Sequence, residues 1–367
     1  MKIGLDNKFY IRPGIKIFRE NDNLIHFSSC YNCDQYWLQN KKEIIDIIEN
    51  LDKKDSLKMV INKLCLPASI VGNNDFINSF TFLLEKEIIG EKPLQSILSE
   101  AEIEYYYYNI FHLNFIFKKN GLKLQEQLKE KKISLIGLGG SGISLLLSLI
   151  GIGIGNIKLI DNDVVVASNI PRQMLYKYSD VGKKKVYLIK EFINKTNPFI
   201  NIEAYDLYFD EKNKETMKCI IKDCDLLIVA ADEPDLMIVL NRLQDICFEL
   251  NLPFMGTCAA DGFIPPLVIP YKSACIRCLL TIIPERKRVK NFPDNIKQLK
   301  LEKLLTSSLS VPYYKLLEGN ALVAKELINF LLFKKSNLIN NFYPNSSVVK
   351  KNIPRVKNCI CLKDVKR

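Results

Sequence analysis

The chain has 367 residues, 48% hydrophobic and 25% charged, with 11 cysteines, 2 histidines and a formal net charge of +11. That balance excludes a disordered or fibrous chain and leaves room for two or three domains with buried cores. The longest apolar run, residues 143–154, is broken by Ser and Gly and falls short of the ~20 residues that span a bilayer, so no membrane partner is expected. The N-terminus carries no signal-peptide core, which predicts a cytoplasmic protein with reduced thiols rather than a disulfide framework. The lysines are spread along the chain. Their one dense cluster, residues 284–290, reads either as a solvated loop or as a contact for phosphate or an acidic partner.

Residues 8–12 and 15–19 alternate around Pro13-Gly14 and predict a hairpin, and residues 24–28 a third strand. Three helices follow. Residues 42–51 place Ile44, Ile45, Ile47, Ile48 and Leu51 on one face; residues 56–64 open after Asp55; residues 74–88 carry Phe76, Ile77, Phe80, Leu83 and Leu84 at helical spacing. Three strands and three helices over residues 1–90 predict a small winged helix-turn-helix. Such a module reads DNA, binds a peptide or dimerises. Its third helix sets Asp75, Glu85 and Glu87 against Lys86, a poor balance for meeting phosphates, so no nucleic-acid partner is expected. In element order it resembles the precursor-recognition element of ribosomal-peptide modifying enzymes. That resemblance implies a leader peptide added as a strand beside residues 24–28 and packed on the third helix. Residues 91–125 are expected to link the modules. Tyr105 to Tyr108, Phe111 and Phe115 read there as core packing or a subunit contact, and residues 122–129 as a helix leading into the next domain.

The chemistry is concentrated after residue 130. Residues 133–136 are a strand running into Gly137-Leu-Gly139-Gly140-Ser-Gly142 and then a helix. Glycines let backbone approach a phosphate, and a helix N-terminus offers free N–H groups to it. That motif alone is equally at home in a dehydrogenase. The second strand, residues 157–160, ends in Asp161, placed to suit a ribose diol, followed by Asp163. Asn169, Arg172 and Gln173 come next, then Lys185. An Arg and a Lys near a nucleotide imply a triphosphate to grip rather than a nicotinamide to reduce. Taken singly, Asp161 reads equally as a strand-end cap, Lys185 as a solvated charge and Asp232 as a turn residue.

Together these spaced motifs, over residues 126–367, resemble the E1/ThiF/MoeB adenylating superfamily, which activates a carboxylate with ATP as an acyl adenylate. The resemblance implies a Rossmann-like α/β domain behind the winged module. It implies that Asp161 binds the ribose, that Arg172 and Lys185 bind the phosphates, and that Asn169 and Gln173 order the same loop. Asp232, at a third strand end, would hold Mg²⁺; a carboxylate beside a triphosphate needs a metal between them. The family also often places an arginine before the nucleotide domain. Here no Arg occurs between Arg19 and Arg172, so Lys118, Lys119 or a downstream Arg would substitute, or the chemistry departs from plain adenylation.

Residues 236–250 read as a helix, 253–258 as a strand, 262–270 as more sheet, 282–311 as a crossover loop and 316–332 as an apolar helix. Cys275-x-x-Cys278 has the spacing of half a tetrahedral thiolate site. The resemblance implies a structural zinc completed near the C-terminus, where Cys359-x-Cys361 stands one residue short of the family's pair; unligated buried thiols are the other reading. Cys30 and Cys33 share the spacing without a second pair and read as incidental. Ubiquitin-type E1 enzymes carry a catalytic Cys in the crossover region, but residues 279–358 contain no cysteine, which argues against a thioester relay. Only His26 and His112 are present, so histidine acid–base chemistry is not indicated. Over the whole chain the pattern resembles the microcin C7 and pantocin-type peptide-modifying branch, which pairs a leader-binding winged domain with a ThiF-like domain in a homodimer. That implies ATP-dependent activation of a carboxylate or amide, by adenylation or phosphorylation, in a ribosomal precursor peptide during antibiotic biosynthesis. The alternatives are adenylation of a ubiquitin-like sulfur carrier and a non-catalytic leader-presenting scaffold.

Overall fold

The computed structural model of the chain describes residues 3–12, 15–29, 34–51, 55–86, 88–92, 96–233, 235–259, 262–283, 312–344 and 350–362. Contacts divide the chain into two compact units, Met1–Leu122 and Lys123–Arg367. Pro13-Gly14, Cys30 and Cys33, and the basic cluster 284–290 lie outside the described residues.

In the first unit, β1 (Lys8–Ile11) is followed by β2 (Ile15–Asn21), β3 (Leu24–Ser29) and β4 (Gln35–Gln39). Helices α1 (Lys42–Glu49), α2 (Leu57–Lys63) and α3 (Asn74–Glu85) come next, then β5 (Ile89–Lys92). The expected hairpin of residues 8–12 and 15–19 does not form. β1 pairs antiparallel with β5 instead, while β2, β3 and β4 make an antiparallel sheet with β3 in the middle. The reason is burial. Phe9 of β1 is 1% exposed and meets Phe80 of α3 edge to face at 5.3 Å, so β1 is drawn onto the helical core beside Ile89. Ser56, rather than Asp55, caps α2 by accepting the Met59 N–H. Residues 91–125 carry helices α4 (Glu100–Tyr105), α5 (Tyr107–Phe117) and α6 (Gly121–Glu130). In the tyrosine run Tyr106 is buried, while Tyr108 is 72% exposed.

The second unit is a doubly wound α/β domain. Its elements are β6 (Lys132–Ile136), α7 (Gly140–Ile152), β7 (Asn156–Ile160), α8 (Lys185–Thr196), β8 (Asn201–Tyr205), α9 (Lys214–Ile221), β9 (Leu226–Val229), α10 (Leu236–Glu249) and β10 (Phe254–Gly256). Helices α11 (Ile276–Ile282) and α12 (Tyr313–Phe333) and the short strands β11 (Asn341–Phe342) and β12 (Lys351–Asn352) complete it. The five-stranded parallel sheet runs β10-β9-β6-β7-β8. The central strands β9, β6 and β7 are rich in Ile and Leu, as a parallel sheet covered on both faces requires, whereas the edge strand β8 reads Asn-Ile-Glu-Ala-Tyr. Residues 262–270, expected as further sheet, form only isolated bridges from Ile264, Leu267 and Val268. The chain winds outward from β6 to β8, then returns to β9 on the other side of β6. The crevice beyond the carboxyl ends of β6 and β9 is therefore the switch point, where such sheets bind ligands.

Candidate active site

Gly137 leaves β6 with φ of 94°, in the left-handed region, and a Cβ there would lie 2.6 Å from the Ala231 nitrogen. A Cβ on Gly142 would stand 2.0 Å from the Gly137 carbonyl oxygen. Both positions therefore need glycine for the turn to close on β9 and on itself. Gly139 is the N-cap of α7 and supplies no side-chain cap, so the first N–H groups of α7, at Gly140 and beyond, lack a side-chain partner.

Asp161 follows β7 and is 8% exposed. Its carboxylate accepts the Leu138 N–H at 2.6 Å and the Asp163 N–H at 2.7 Å, tying the second strand end to the glycine turn. Burial raises its pKa, and those two backbone bonds and Lys185 pull against it. Lys185 opens α8, is 4% exposed, and donates Nζ to Asp163 Oδ2 at 2.8 Å. Asn169 is buried and accepts the Val166 N–H at 3.2 Å, which shapes the loop before Arg172. Arg172 Nε and Gln173 Oε1 are buried without hydrogen-bond partners. Gln173 Nε2 lies 3.8 Å from where a Cβ of Gly139 would stand.

Asp232 follows β9 across the crevice. As a residue it is exposed, yet protein crowds its carboxyl and raises the pKa by desolvation, offset in part by Arg172 and Lys185. Glu233 is raised by burial and then by Asp163 and Asp232. Arg172, Lys185, Asp161, Asp163 and Asp232 thus influence one another across the ends of three strands. Asp161 and Asp232, whose pKa values burial raises, offer beside two cations the hard oxygen donors that an ion such as Mg²⁺ takes.

Two residues of this neighbourhood went unread in the sequence. Tyr176, 3% exposed, donates its hydroxyl to the Leu138 carbonyl at 3.1 Å and braces the glycine turn. Asn320 reaches α7 from α12. Neither belongs to a local motif, and only the tertiary fold brings them there.

Cys275, Cys278, Cys359 and Cys361 have all four sulfurs within 4.8 Å of one another, and all but Cys359 are fully buried by residue. Sulfur pairs at 3.3, 3.5 and 3.9 Å bracket the ~3.8 Å edge of a tetrahedron built on Zn–S bonds of about 2.3 Å. The hydrogen bond from Cys275 and the Val356 N–H pull the Cys278 thiol below its ordinary pKa, against burial. The one-residue contraction to Cys359-x-Cys361 is absorbed by the 3₁₀ turn Ile360–Leu362. The set fits a structural zinc.

A separate cavity of about 730 Å³ lies within the first unit, between β1, β5, α4 and α5, and contains none of these residues.

This is a Rossmann-like α/β domain with its glycine turn at the switch point. The chain belongs to the ThiF family, whose model matches residues 111–359. It is 31% identical over 177 residues to the adenylyltransferase and sulfurtransferase UBA4 of Vanderwaltozyma polyspora, covering 48% of this chain and 39% of that relative. The chain therefore spans about two-fifths of that relative's length. Its fold matches the microcin C7 biosynthetic enzyme MccB in complex with N-formylated MccA, with a TM-score of 0.60 and 22% identity over 97% of this chain and 99% of that chain. PaaA matches with a TM-score of 0.62 and 19% identity over 93% of this chain and 99% of that one. At those identities the likeness is one of fold.

Proposed function

We propose that this chain is an ATP-dependent adenylating enzyme that activates a carboxylate or side-chain amide of a short ribosomal precursor peptide. One observation carries the choice of substrate. The match to MccB runs over 97% of the chain and so takes in the first unit, whereas the match to the sulfurtransferase covers 48%.

In this reading ATP sits on the glycine turn, its ribose on Asp161 and its phosphates at the N-terminus of α7. Arg172 and Lys185 neutralise the phosphates, and most of all the charge that develops as the bond to pyrophosphate breaks. A Mg²⁺ ion, when bound, would be held by Asp232 and would screen the β- and γ-phosphate charge from the carboxylates around it. The substrate oxygen attacks the α-phosphorus and pyrophosphate leaves, giving an acyl adenylate from a carboxylate or an adenylated imidate from an amide; a nucleophile from the substrate itself then displaces AMP. No relay cysteine is needed, in keeping with its absence from residues 279–358.

The leader would add to the first unit as a strand. β3 is paired on both sides, so the earlier expectation of strand addition at residues 24–28 is corrected: that edge is covered. The outer edge of β4 carries no further strand among the described residues, and side chains of β4 and of the residue after it touch α3. Asn40 donates to Ser79 Oγ at 2.6 Å, and Tyr36 meets Phe82 edge to face at 6.3 Å. A peptide on β4 would thus gain main-chain hydrogen bonds and a helical wall together. A homodimer and a structural zinc on the four cysteines complete the reading.

The second reading is adenylation of a ubiquitin-like carrier, favoured by the 31% identity to an adenylyltransferase and sulfurtransferase. Fluorescence polarisation decides between them: labelled precursor peptide, labelled sulfur-carrier protein and random duplex DNA at physiological salt. Tight peptide binding alone supports the proposal. Carrier binding alone selects the second reading, and duplex binding alone points to a regulator.

A further inference from the structure

Asn320 stands in the first half of α12 and is 1% exposed. None of its side-chain hydrogen bonds goes to its own helix. Nδ2 donates to the Ser144 hydroxyl at 2.7 Å, to the Ser141 hydroxyl at 3.0 Å and to the Ser141 carbonyl at 3.1 Å. Oδ1 accepts the Cys258 N–H at 3.1 Å. The serines close the network: Ser141 Oγ donates to the Cys258 carbonyl and Ser144 Oγ to the Ser141 carbonyl, each at 2.9 Å. One amide therefore ties the first turn of α7 to the segment leaving β10.

The seat is tight as well as polar. A Cβ on Gly319 would lie 2.1 Å from Cys258 Sγ, and a Cβ on Gly140 would lie 2.6 Å from Leu316 Cδ1. The helix α12 thus meets both the β10 segment and the glycine turn at van der Waals contact. An apolar residue would fill such a seam as well, but without direction. A satisfied amide network fixes orientation, at the cost of desolvating every member.

We propose that Asn320 is a positioning residue for the nucleotide site. It holds the opening turn of α7, whose N–H groups would face the ATP phosphates, in register with the ends of β6 and β10. This rests on reading the glycine turn as the ATP site. Its consequence is selective. Loosening α7 by a fraction of an ångström spoils contacts to phosphate while leaving the ribose contact of Asp161 on β7 in place.

The test is calorimetry on the full chain with ATP·Mg²⁺ and, separately, with adenosine, together with a thermal melt. Asn320→Ala is expected to weaken ATP binding roughly tenfold or more and adenosine binding by less than about twofold. Asn320→Ser, which keeps a hydroxyl in the network, should recover part of the loss. Should Asn320→Ala not fold, the small-for-small change Ser141→Ala with Ser144→Ala removes both hydroxyl partners of the Asn320 amide, leaving only the Ser141 carbonyl, and should give the same selective loss to a lesser degree. Equal losses for ATP and adenosine, or no loss in either variant, would overturn the positioning role and leave Asn320 a packing residue. A wild-type chain that binds neither ligand overturns the nucleotide-site reading itself, and this role with it.

Discussion

Lys185 carries an ammonium into a site where it is 4% exposed, and an unpaired charge there would be costly. Asp163, whose side chain is 52% exposed, meets that cost at 2.8 Å. Removing Lys185 leaves the carboxylate in water, so stability should suffer little while the phosphates lose a fixed cation. Lys185→Ala and Asp232→Ala are each expected to lower the rate of ATP-dependent peptide modification by about a hundredfold or more, with melting temperatures near wild type. Steady-state kinetics beside thermal melts check this; a full-rate Lys185→Ala enzyme would remove it from the chemistry. Asp223 is the contrasting residue. Burial raises its pKa, but hydrogen bonds from Lys132 and Lys158, both at 2.6 Å, outweigh that and bring it to about 2. A carboxyl lowered on folding stabilises fully above its unfolded pKa of about 3.9 and loses that contribution as pH falls toward 2. Lys158 is buried and, among the described residues, has the Ile220 carbonyl as its one other partner, so it depends on the pair. Asp223→Asn is therefore expected to melt lower than wild type at pH 6 and to show a shallower fall between pH 4 and 2. Parallel curves would mean the triad contributes nothing. At this scale the sequence revealed the residues whose spacing is local, from Gly137 through Lys185. Tyr176 and Asn320 were hidden because their partners stand far away in the chain, 38 positions for Tyr176 and from 62 to 179 for Asn320.

At the scale of elements, β6, β7 and β9 announced themselves as short apolar runs ending in glycine or a carboxylate, since both faces of such a sheet are buried, whereas the half-polar edge strand β8 (Asn-Ile-Glu-Ala-Tyr) carried no such signal. The first unit was harder to read. Pro13-Gly14 suggested a turn between neighbours, but the pull of Phe9 toward Phe80 took β1 away to β5. β4 was missed although Tyr36 and Leu38 are the less exposed members of an alternation with Gln35, Trp37 and Gln39. Trp37, 55% exposed and stacked on His26 at 4.6 Å, puts an aromatic on the outer face and blurs the period-2 pattern. That placement is useful, because Trp37 is the only tryptophan of the chain. Precursor peptide adding to β4 is expected to shift or quench its emission saturably, and Trp37→Phe should abolish the signal. An unchanged spectrum at peptide concentrations that saturate polarisation would place the peptide elsewhere. The C-terminal turn Ile360–Leu362 belongs to the same scale. Its cysteines should bring about one zinc per chain by elemental analysis, and chelation should lower the melting temperature as the tail is released. Less than about half a zinc per chain would contradict a stable four-thiolate site.

At the scale of the whole molecule, the fold follows from one reversal of winding. The chain runs outward from β6 to β8 and then back to β9, which leaves the crevice between β6 and β9 open at their carboxyl ends. Glycine turn, Asp161 and Asp232 close three strands at that end, and α12 underpins the turn. Among the described residues no helix is long and apolar enough to cross a membrane. The proposed nucleotide site in one unit and, among the described residues, an unpaired edge of β4 in the other suit the proposed peptide activation, and the two units make separable predictions for ATP and for peptide. The central claim is that the joined chain forms an adenylate on a peptide. Exchange of labelled pyrophosphate into ATP by the purified full chain with Mg²⁺ tests it most directly. Exchange is expected to depend on the precursor peptide and to be abolished in Lys185→Ala. Peptide and ATP both bound, yet no exchange above the Lys185→Ala background, would contradict it.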